Sequence, residues 1–331
     1  MRTLFVLHPY VGSVSNYVRA QQFSEVGADC VDLASGYFRK NFIGYIKIIY
    51  FLPINFFRLY KKRDFYAKVI IVKPWSILIA LSLGIIFQRS KVFLDINDPL
   101  HLPEFLGESR FKLFLYFFRN NLIFESEEYY KYCKKKYHVE GRIIEDYAQI
   151  EDIPKVEWTR KEKQLLWYGD KKISSILLEY ESTLIAFQHA GYAIKIVGAS
   201  QVVMDTLLSM GIVAKKVEPA SREDFLILLA SSRFIFAPFN PGSQLHTLRG
   251  NLKAKLAMAA GSCVLAEDIE MHRRLIEDGH NGFLINKSMI ISRVTTNILN
   301  HSSLEGVSLR AGAAINALGT RQDSFQKYLN L

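Results

Sequence analysis

The chain has 331 residues, of which 50% are hydrophobic and 22% are charged, and its formal net charge is +10. This composition is that of a folded globular protein and excludes an intrinsically disordered chain. Because one hydrophobic core rarely extends over so many residues, the sequence predicts two domains of about 150 residues each. The positive charge favours anionic partners.

Short apolar runs alternate with helical segments in the first half of the chain. The predicted strands are Thr3–Leu7, Val69–Val72, Val92–Asp95 and Leu122–Glu125. The predicted helices begin near Ser15 and cover Trp75–Gln88, Phe111–Phe118 and Glu127–Tyr137. Such alternation is typical of a parallel, doubly wound sheet. No signal peptide is expected, since MRTLFVLHPY leads directly into the polar residues GSVSN.

The segment Phe38–Lys73 combines nine basic residues and one acidic residue with many aromatic side chains. Aromatic rings together with cations are typical of the membrane–water interface. We therefore predict a pair of interfacial amphipathic helices in Asn41–Tyr60, and a buried strand and helix in Val69–Phe87. A nucleic-acid-binding surface, a membrane span and burial of the aromatic side chains in the core are the alternatives.

The polar, proline-containing residues 151–163 are the predicted linker between a first domain at 1–150 and a second domain at 164–315. The second domain repeats the alternation, with predicted strands at Gln164–Tyr168, Ala193–Val197, Val213–Val217, Phe234–Ala237 and Ser262–Ala266. Its first predicted helices are Ser174–Gly191, Gln201–Met210 and Arg222–Ser231. Residues 316–331 end the chain with a predicted helix. The predicted fold class is α/β, with two Rossmann-like, doubly wound domains.

Several classes of enzyme are disfavoured because their motifs are absent. The sequence has no P-loop, no G-x-S-x-G elbow, no H-E-x-x-H and no G-x-G-x-x-G, which argues against P-loop kinases, hydrolases, zincins and simple dehydrogenases. Its three cysteines, Cys30, Cys133 and Cys263, have no metal-ligand spacing. Isolated cysteines favour a reducing cytoplasm.

Ligands of open α/β sheets bind beyond the carboxyl ends of the strands. In the second domain, the residues near these ends that we predict to bind the ligand are Gly169, Pro238, Gln244, His246, Glu267 and Glu270. Arg249 and Lys253 lie four residues apart at the start of a predicted helix that ends near Ala260, so one helical face carries both charges. Two cations at a helix N-terminus suit a diphosphate group. A solvated basic helix start is the alternative.

The segment from Arg249 to Ile285 reads RGNLKAKLAMAAGSCVLAEDIEMHRRLIEDGHNGFLI. Lys253 and the AMAAG of residues 257–261 fit the pattern K-x-x-E-A-M-A-x-G-x-P-V of GT-B glycosyltransferases. The run FIFAPFN at 234–240 and the later DGHNGFLI follow the order and spacing of that family. The chain therefore resembles a divergent GT-B glycosyltransferase of the large retaining group.

The resemblance implies two Rossmann-like domains facing a cleft, with a nucleotide-sugar donor on the second domain and an acceptor on the first. It implies no cofactor and no obligatory metal, and a terminal helix that crosses back to the first domain. Retaining members often carry two glutamates eight positions apart, which here correspond to Leu248 and Leu256. Either the donor is held differently, for example by Gln244 or His246, or the chain belongs to a divergent branch.

The family places acceptor-binding and catalytic groups after the early strands of the first domain. The matching catalytic candidates are Asp98 and His8, either of which would act near the acceptor hydroxyl. Acceptor binding falls to the remaining candidates, Gly12, Asp95 and His101. A turn or cap is the alternative role of Asp98, because it precedes a proline. The D-x-x-D spacing of Asp95 and Asp98 is a weak magnesium signal, so no metal site is predicted.

Together these observations predict a glycosyltransferase that moves a sugar from a nucleoside-diphosphate sugar to a lipid-linked or glycan acceptor, in bacterial surface-polysaccharide biosynthesis. The expected location is cytoplasmic, peripheral at the inner face of the cell membrane, with anionic lipid and not nucleic acid as the surface partner. The alternative is a non-catalytic protein that binds a nucleotide or glycan on a degenerate glycosyltransferase scaffold.

Overall fold

The computed structural model describes residues 2–7, 24, 27–32, 53–72, 77–96, 98–103, 106–145, 150–239, 243–248 and 251–331. The chain divides into two compact units. The first unit comprises Met1–Gln149, Ser243–Gly250 and Thr320–Leu331, and the second comprises Ile150–Gly242 and Asn251–Gly319. Each unit is built on its own six-stranded parallel sheet, which confirms the predicted α/β fold class.

The first sheet has the strand order β2-β1-β3-β4-β5-β6. Its strands are β1 (Arg2–Leu7), β2 (Asp29–Asp32), β3 (Tyr66–Val72), β4 (Val92–Ile96), β5 (Leu122–Phe124) and β6 (Gly141–Ile143). The described helices between them are α1 (53–61), α2 (Ile77–Phe87), α3 (Glu108–Phe118) and α4 (Glu127–Tyr137). All four helices contribute side chains to one hydrophobic core, so they cover the same side of the sheet.

Local sequence explains the helices of the first unit. In α3, Phe111, Phe114, Leu115 and Phe118 are buried, and their i, i+3, i+4, i+7 spacing directs one helical face into the core. In α4, Ser126 caps the helix start by accepting a hydrogen bond from the backbone N–H of Tyr129 at 3.0 Å.

The second sheet has the order β12-β11-β10-β7-β8-β9. Its strands are β7 (Glu162–Tyr168), β8 (Ala193–Val197), β9 (Ala214–Val217), β10 (Ser232–Ala237), β11 (Cys263–Glu267) and β12 (Phe283–Ile285). The chain winds outward from β7 through β8 and β9, and then returns to pair β10 with the other side of β7. The order reverses between β7 and β10, which makes this the switch point where doubly wound sheets bind ligands.

The remaining helices follow in chain order. They are α5 (Glu181–His189), α6 (Gln201–Ser209), α7 (Arg222–Ser231), α8 (Gln244–Leu248), α9 (Leu252–Ala259), α10 (Glu270–Arg273), α11 (Ile291–Val294), α12 (Leu304–Leu318) and α13 (Arg321–Leu329). Helices α8 and α13 belong to the first unit. Ser126 Oγ donates a 2.8 Å hydrogen bond to the carbonyl of Leu248, at the end of α8.

Strands β2, β6 and β12 were not expected from the sequence, and other segments differ from the expectation in their bounds or type. The expected helix Ser174–Gly191 is a 3-10 helix at Ser174–Tyr180 followed by α5. Strand β7 begins at Glu162, inside the expected linker. Helix α9, which carries Lys253, begins at Leu252 with Asn251 as its N-cap residue, and the expectation that Arg249 shares its face falls on a residue outside the described ones.

Membrane-related expectations have mixed outcomes. The stretch Val69–Phe87 contains the end of β3 and the whole of α2, as expected. Residues 41–52 of the expected interfacial pair lie outside the described residues, whereas 53–61 form α1. No helix within the described ranges is long and apolar enough to cross a membrane.

Candidate functional site

Two glycines meet at the carboxyl edge of the second sheet, where β7 and β8 end. Gly198 has a φ of +83°, and a β-carbon on it would lie 2.0 Å from the carbonyl oxygen of Gly169. The backbone N–H of Gly169 donates to the carbonyl of Val197 at 3.1 Å. Only glycine fits this close approach without strain. At these two positions, no side chain covers the carboxyl edge of the sheet.

Lys253 places a cation at this edge. Its Nζ lies 5.2 Å from the ring centroid of Trp167 and 5.3 Å from that of Tyr168, the last two residues of β7. A β-carbon on Gly169 would stand 3.1 Å from the same Nζ. Because Gly169 has no side chain, the ammonium group lies directly over the end of the strand that borders the switch point. An anion bound there would be attracted by this charge.

Helix α9, which carries Lys253, is fixed at its other end by two lysines. Lys161 Nζ donates to the carbonyl of Ala260 at 2.8 Å and also to the carbonyl of Ala230, and Lys155 Nζ donates to the carbonyl of Ala259 at 3.2 Å. Cations at helix C-termini satisfy unpaired carbonyls and oppose the helix dipole. Burial lowers the pKa of Lys161 to about 8.

Glu267 ends β11 as a buried acid. Its carboxylate accepts a hydrogen bond from the hydroxyl of Tyr180, which also lies 3.5 Å from the carbonyl oxygen of Phe239. Burial raises the pKa of Glu267 from 4.5 to about 7; Lys287 opposes this shift, whereas Asp268 and Glu179 add to it.

His272 holds the backbone beside Glu267. Its Nδ1 lies 2.8 Å from the carbonyl oxygen of Glu267, so Nδ1 is the protonated nitrogen of the neutral ring. Burial lowers the pKa of His272, and this hydrogen bond partly opposes the shift. The ring also lies edge-on to Phe239, with 6.0 Å between the centroids.

The other predicted donor-site residues are distributed as follows. Pro238 is buried directly after β10. Glu270 is exposed and pairs with Arg274. Gln244 is exposed on α8, in the first unit, whereas the sequence placed it in the second domain. The side chain of His246 and the whole of Arg249 lie outside the described residues.

In the first unit, the candidates after β4 are buried. Asp98 is 6% exposed and Asp95 is 0% exposed. Asp95 Oδ2 accepts a 2.9 Å hydrogen bond from the hydroxyl of Tyr328. His8 and Gly12 lie outside the described residues. Within the described part of the chain, no three His, Cys, Asp or Glu residues form a group that could hold a metal ion.

His101 is enclosed by aromatic side chains. Its ring stacks on Tyr132 with 4.7 Å between centroids, and its Nδ1 lies 3.4 Å from the hydroxyl of Tyr129. Burial lowers the pKa of His101 to about 4; the charge of Lys136 adds to this shift, and Glu108 opposes it. The imidazole is therefore neutral near pH 7.

Sequence reasoning missed Tyr180 and His272. Tyr180 follows β7 by twelve residues, and no periodicity marks it as a partner of Glu267. His272 could have been found, because it lies five residues after a strand end that was itself a candidate.

Comparison with known proteins finds similarity in fold but not in sequence. No family model matches the chain, and no curated protein matches it. The solved structure of Anabaena HepE in complex with UDP-glucose matches with a TM-score of 0.70 and 12% identity, over 100% of this chain and 99% of that chain. A Rickettsia africae glycosyltransferase matches with a TM-score of 0.66 and 13% identity, over 99% and 97% of the two chains.

A sucrose-phosphate synthase from Thermosynechococcus elongatus also matches, with a TM-score of 0.68 and 13% identity over 100% of this chain and 98% of that chain. Sequence identity is low in every case, so the likeness is one of architecture. The chain has the two-domain GT-B fold that the resemblance of its motifs implies.

Proposed function

We propose that the chain is a glycosyltransferase that transfers a sugar from a nucleoside-diphosphate sugar to a lipid-linked or glycan acceptor, in bacterial surface-polysaccharide biosynthesis. One observation carries the proposal. The Lys253 ammonium lies over the end of β7, beside the side-chain-free Gly169, at the switch point of the second sheet.

The chemistry of the reaction explains why a cation belongs there. When the bond between the sugar and the nucleotide breaks, the departing nucleoside diphosphate gains negative charge. A preorganised ammonium group at this edge stabilises that charge more in the transition state than in the ground state. Lys253 therefore fits both binding of the donor and activation of its leaving group, and the proposed reaction requires no resident metal.

The matched structures support a nucleotide-sugar donor. Anabaena HepE has been solved with UDP, with UDP and glucose, and with UDP-glucose. Staphylococcus aureus TarM has been solved with UDP, with a TM-score of 0.59 over 83% of this chain and 57% of that chain. By analogy of fold, we propose that the donor binds to the second unit.

The acceptor side of the proposal involves the first unit. Asp98 follows β4 and remains the candidate base, with His8 as the second candidate. The interaction of Asp95 with Tyr328 makes a structural role more suitable for Asp95 than contact with an acceptor. His101, neutral and enclosed by tyrosines, fits a supporting role in the same way.

We propose that the outer face of α1, α2 and α3 contacts the inner surface of the cell membrane. This outer face consists of the exposed apolar side chains that point away from the shared core, namely Phe57, Tyr60, Leu78, Ile85, Leu113 and Tyr116. Cations accompany the rings: Lys61 Nζ lies 4.6 Å from the ring of Phe57, and the guanidinium of Arg63 lies 4.4 Å from that of Tyr60. Rings and cations of this kind suit an anionic lipid surface.

The proposed function is tested by donor binding. Purified protein is titrated with UDP, GDP, ADP and CDP and with their glucose conjugates, first by thermal shift and then by calorimetry. A ligand at a hundred times its Kd adds about 2.7 kcal/mol of stability, which thermal shift detects. Lys253→Ala is expected to weaken binding of the best ligand by about 10- to 100-fold, because it removes a charge-assisted contact.

Lys216→Ala is the matched control, since it removes a lysine from the edge strand of the same sheet. It is expected to leave the Kd unchanged. A wild-type protein that binds no member of the panel, or equal binding by Lys253→Ala, contradicts the proposed function.

A non-catalytic nucleotide-binding protein is the second candidate, favoured by the leucines at the two glutamate positions. Leu248 packs in the hydrophobic core of the first unit and Leu256 is buried, so neither side chain contributes polar groups. Release of free sugar from the bound donor distinguishes the two candidates. Slow hydrolysis that is lost in Lys253→Ala supports the transferase, and tight binding without any hydrolysis or transfer supports the second candidate.

A further inference from the structure

Glu267 and Tyr180 form a buried acid–hydroxyl pair at the carboxyl edge of the second sheet. The Tyr180 hydroxyl donates to Oε2 of Glu267, which is 6% exposed. An acid withdrawn from water costs free energy unless its oxygens receive hydrogen bonds. A carboxylate offers about four acceptor positions, and among the described residues the Tyr180 hydroxyl uses one of them. The pair is therefore suited to receive a further hydrogen-bond donor.

Sheet topology relates this pair to the cation at the switch point. Strand β10 separates β11, which ends at Glu267, from β7, which ends below the Lys253 ammonium. With strands about 4.8 Å apart, the ends of β7 and β11 are separated by about 10 Å. A nucleoside-diphosphate sugar, whose phosphates and hydroxyl groups are only a few bonds apart, is long enough to reach both places.

We propose that Glu267 and Tyr180 bind a hydroxyl group of the nucleotide-sugar donor, an inference that rests on the proposed function. The glutamates that retaining relatives carry for hydroxyl contacts are replaced here by the buried Leu248 and Leu256. A carboxylate from the end of β11 supplies the missing acceptor. Dinucleotide-binding sheets likewise use an acidic side chain to hold a ribose hydroxyl.

The surroundings hold the pair in place. Tyr180 lies 3.5 Å from the Phe239 carbonyl oxygen at the end of β10, so the hydroxyl connects two neighbouring strand ends. His272 fixes the Glu267 backbone through Nδ1. The nearby charges are Lys287, which pairs with Glu179, and Asp268, which pairs with Arg273. These neighbouring charges are therefore held in ion pairs of their own.

The test compares Glu267→Gln and Tyr180→Phe with the wild type, using the tightest glucose conjugate from the donor panel. Both substitutions nearly preserve side-chain volume. Glu267→Gln is expected to weaken binding by about 10- to 100-fold, the value of a hydrogen bond to a charged group. Tyr180→Phe is expected to weaken it by about 3- to 10-fold, because it removes the group that orients the acid. Glu181→Gln, next to Tyr180 and exposed, is the control and is expected to bind as the wild type does.

The free nucleotide and its 2′-deoxy form then identify the source of the hydroxyl. If the ribose supplies it, Glu267→Gln weakens binding of the free nucleotide; this loss is absent for the 2′-deoxy form when the 2′-hydroxyl is bound and persists when the 3′-hydroxyl is bound. If the sugar supplies it, only the glucose conjugate loses affinity. Unchanged Kd values in both variants, with Lys253→Ala still defective, overturn this inference and leave the proposed function intact. A wild type that binds no nucleotide overturns the proposed function itself.

Discussion

The hydroxyl of Tyr328 donates a 2.9 Å hydrogen bond to the carboxylate of Asp95, across 233 residues of sequence. Both side chains are fully buried. Tyr328 lies on α13 and Asp95 on β4, so the bond ties the C-terminal helix to the sheet of the first unit. The ring of Tyr328 also meets Phe5 edge-on, with 5.3 Å between the centroids. Asp95, which the sequence suggested for acceptor binding, thus helps to hold α13 against the sheet.

Replacement of Tyr328 by phenylalanine is expected to destabilise the first unit by about 2 kcal/mol. The substitution keeps the packing of the ring but removes a hydrogen bond to a buried acid, for which losses of about 1.5–3 kcal/mol are usual. Urea denaturation followed by tryptophan fluorescence and circular dichroism measures the change. Tyr116→Phe, which removes a hydroxyl from an exposed ring, is expected to change nothing. Equal midpoints for Tyr328→Phe and wild type would show that the bond contributes little.

Gly169→Ala is expected to weaken nucleotide binding and to destabilise the second unit by about 1–3 kcal/mol. The added carbon would lie 2.7 Å from the Trp167 ring and 3.1 Å from Lys253 Nζ, and the buried indole has little room to move. Calorimetry with the best panel nucleotide and thermal denaturation provide the two measurements. The control is Gly312→Ala in α12, where the nearest atom is 3.8 Å from the new carbon. It should bind nucleotide normally and be more stable by up to about 1 kcal/mol.

The stability of the second unit is expected to fall as pH rises from about 5 to 8. The folded pKa of Glu267 is about 7, above its usual 4.5, so folding favours the protonated acid. The stabilisation from the protonated acid is fully present below the unfolded pKa and is lost as pH rises through the folded pKa. The free energy of unfolding is expected to fall by on the order of 2 kcal/mol as a result. Glu267→Gln mimics the neutral acid and should remove this part of the slope. Protonation of His272 at lower pH destabilises the fold, which is the opposite pH dependence, and it does so in both proteins. The difference in unfolding free energy between Glu267→Gln and wild type is therefore the quantity to compare.

If the unfolding free energy of Glu267→Gln and that of the wild type change equally with pH between 5 and 8, the raised pKa of Glu267 is contradicted. His272→Gln serves as the companion variant. It should remove the loss of stability that the wild type shows below pH 6.5, where the lowered pKa of the buried imidazole makes its protonation costly, in addition to a pH-independent change from the lost contact with the Glu267 carbonyl.

Most of the described strands were predictable because Gly, Pro and polar residues flank their apolar runs, whereas β2, β6 and β12 were not predicted. Strand β10 ends just before Pro238, and β3 ends two residues before Pro74. An apolar run indicates a buried strand, and a proline, which lacks a backbone N–H donor, indicates where the strand ends. Both features lie within a few residues of each other, so they can be read from the local sequence. The same locality explains why the alternation of strands and helices predicted a doubly wound fold.

Pairings across the fold were not predictable in this way. Tyr180 ends the 3-10 helix that follows β7, and Glu267 ends β11, two strands away in the sheet, so no local pattern contains their contact. Lys161 falls within a polar stretch that indicated a linker, yet its ammonium is buried against two helix ends. For the candidate site, the sequence therefore proposed Lys253 and Glu267 individually, whereas the pairing of Glu267 with Tyr180 required the tertiary structure.

Ile85→Ser combined with Tyr116→Ser is expected to reduce binding to anionic vesicles by at least tenfold. These side chains are 81% and 78% exposed, and burial of one such group in a bilayer interface contributes about 1.5–3 kcal/mol. Co-sedimentation with phosphatidylglycerol vesicles, compared with phosphatidylcholine vesicles and with duplex and single-stranded DNA, gives the partition. Val202→Ser with Leu208→Ser, exposed on α6 of the second unit, is the control that should bind as the wild type does. Wild-type binding by the first double variant, or a preference for DNA, would exclude the outer face as a membrane surface.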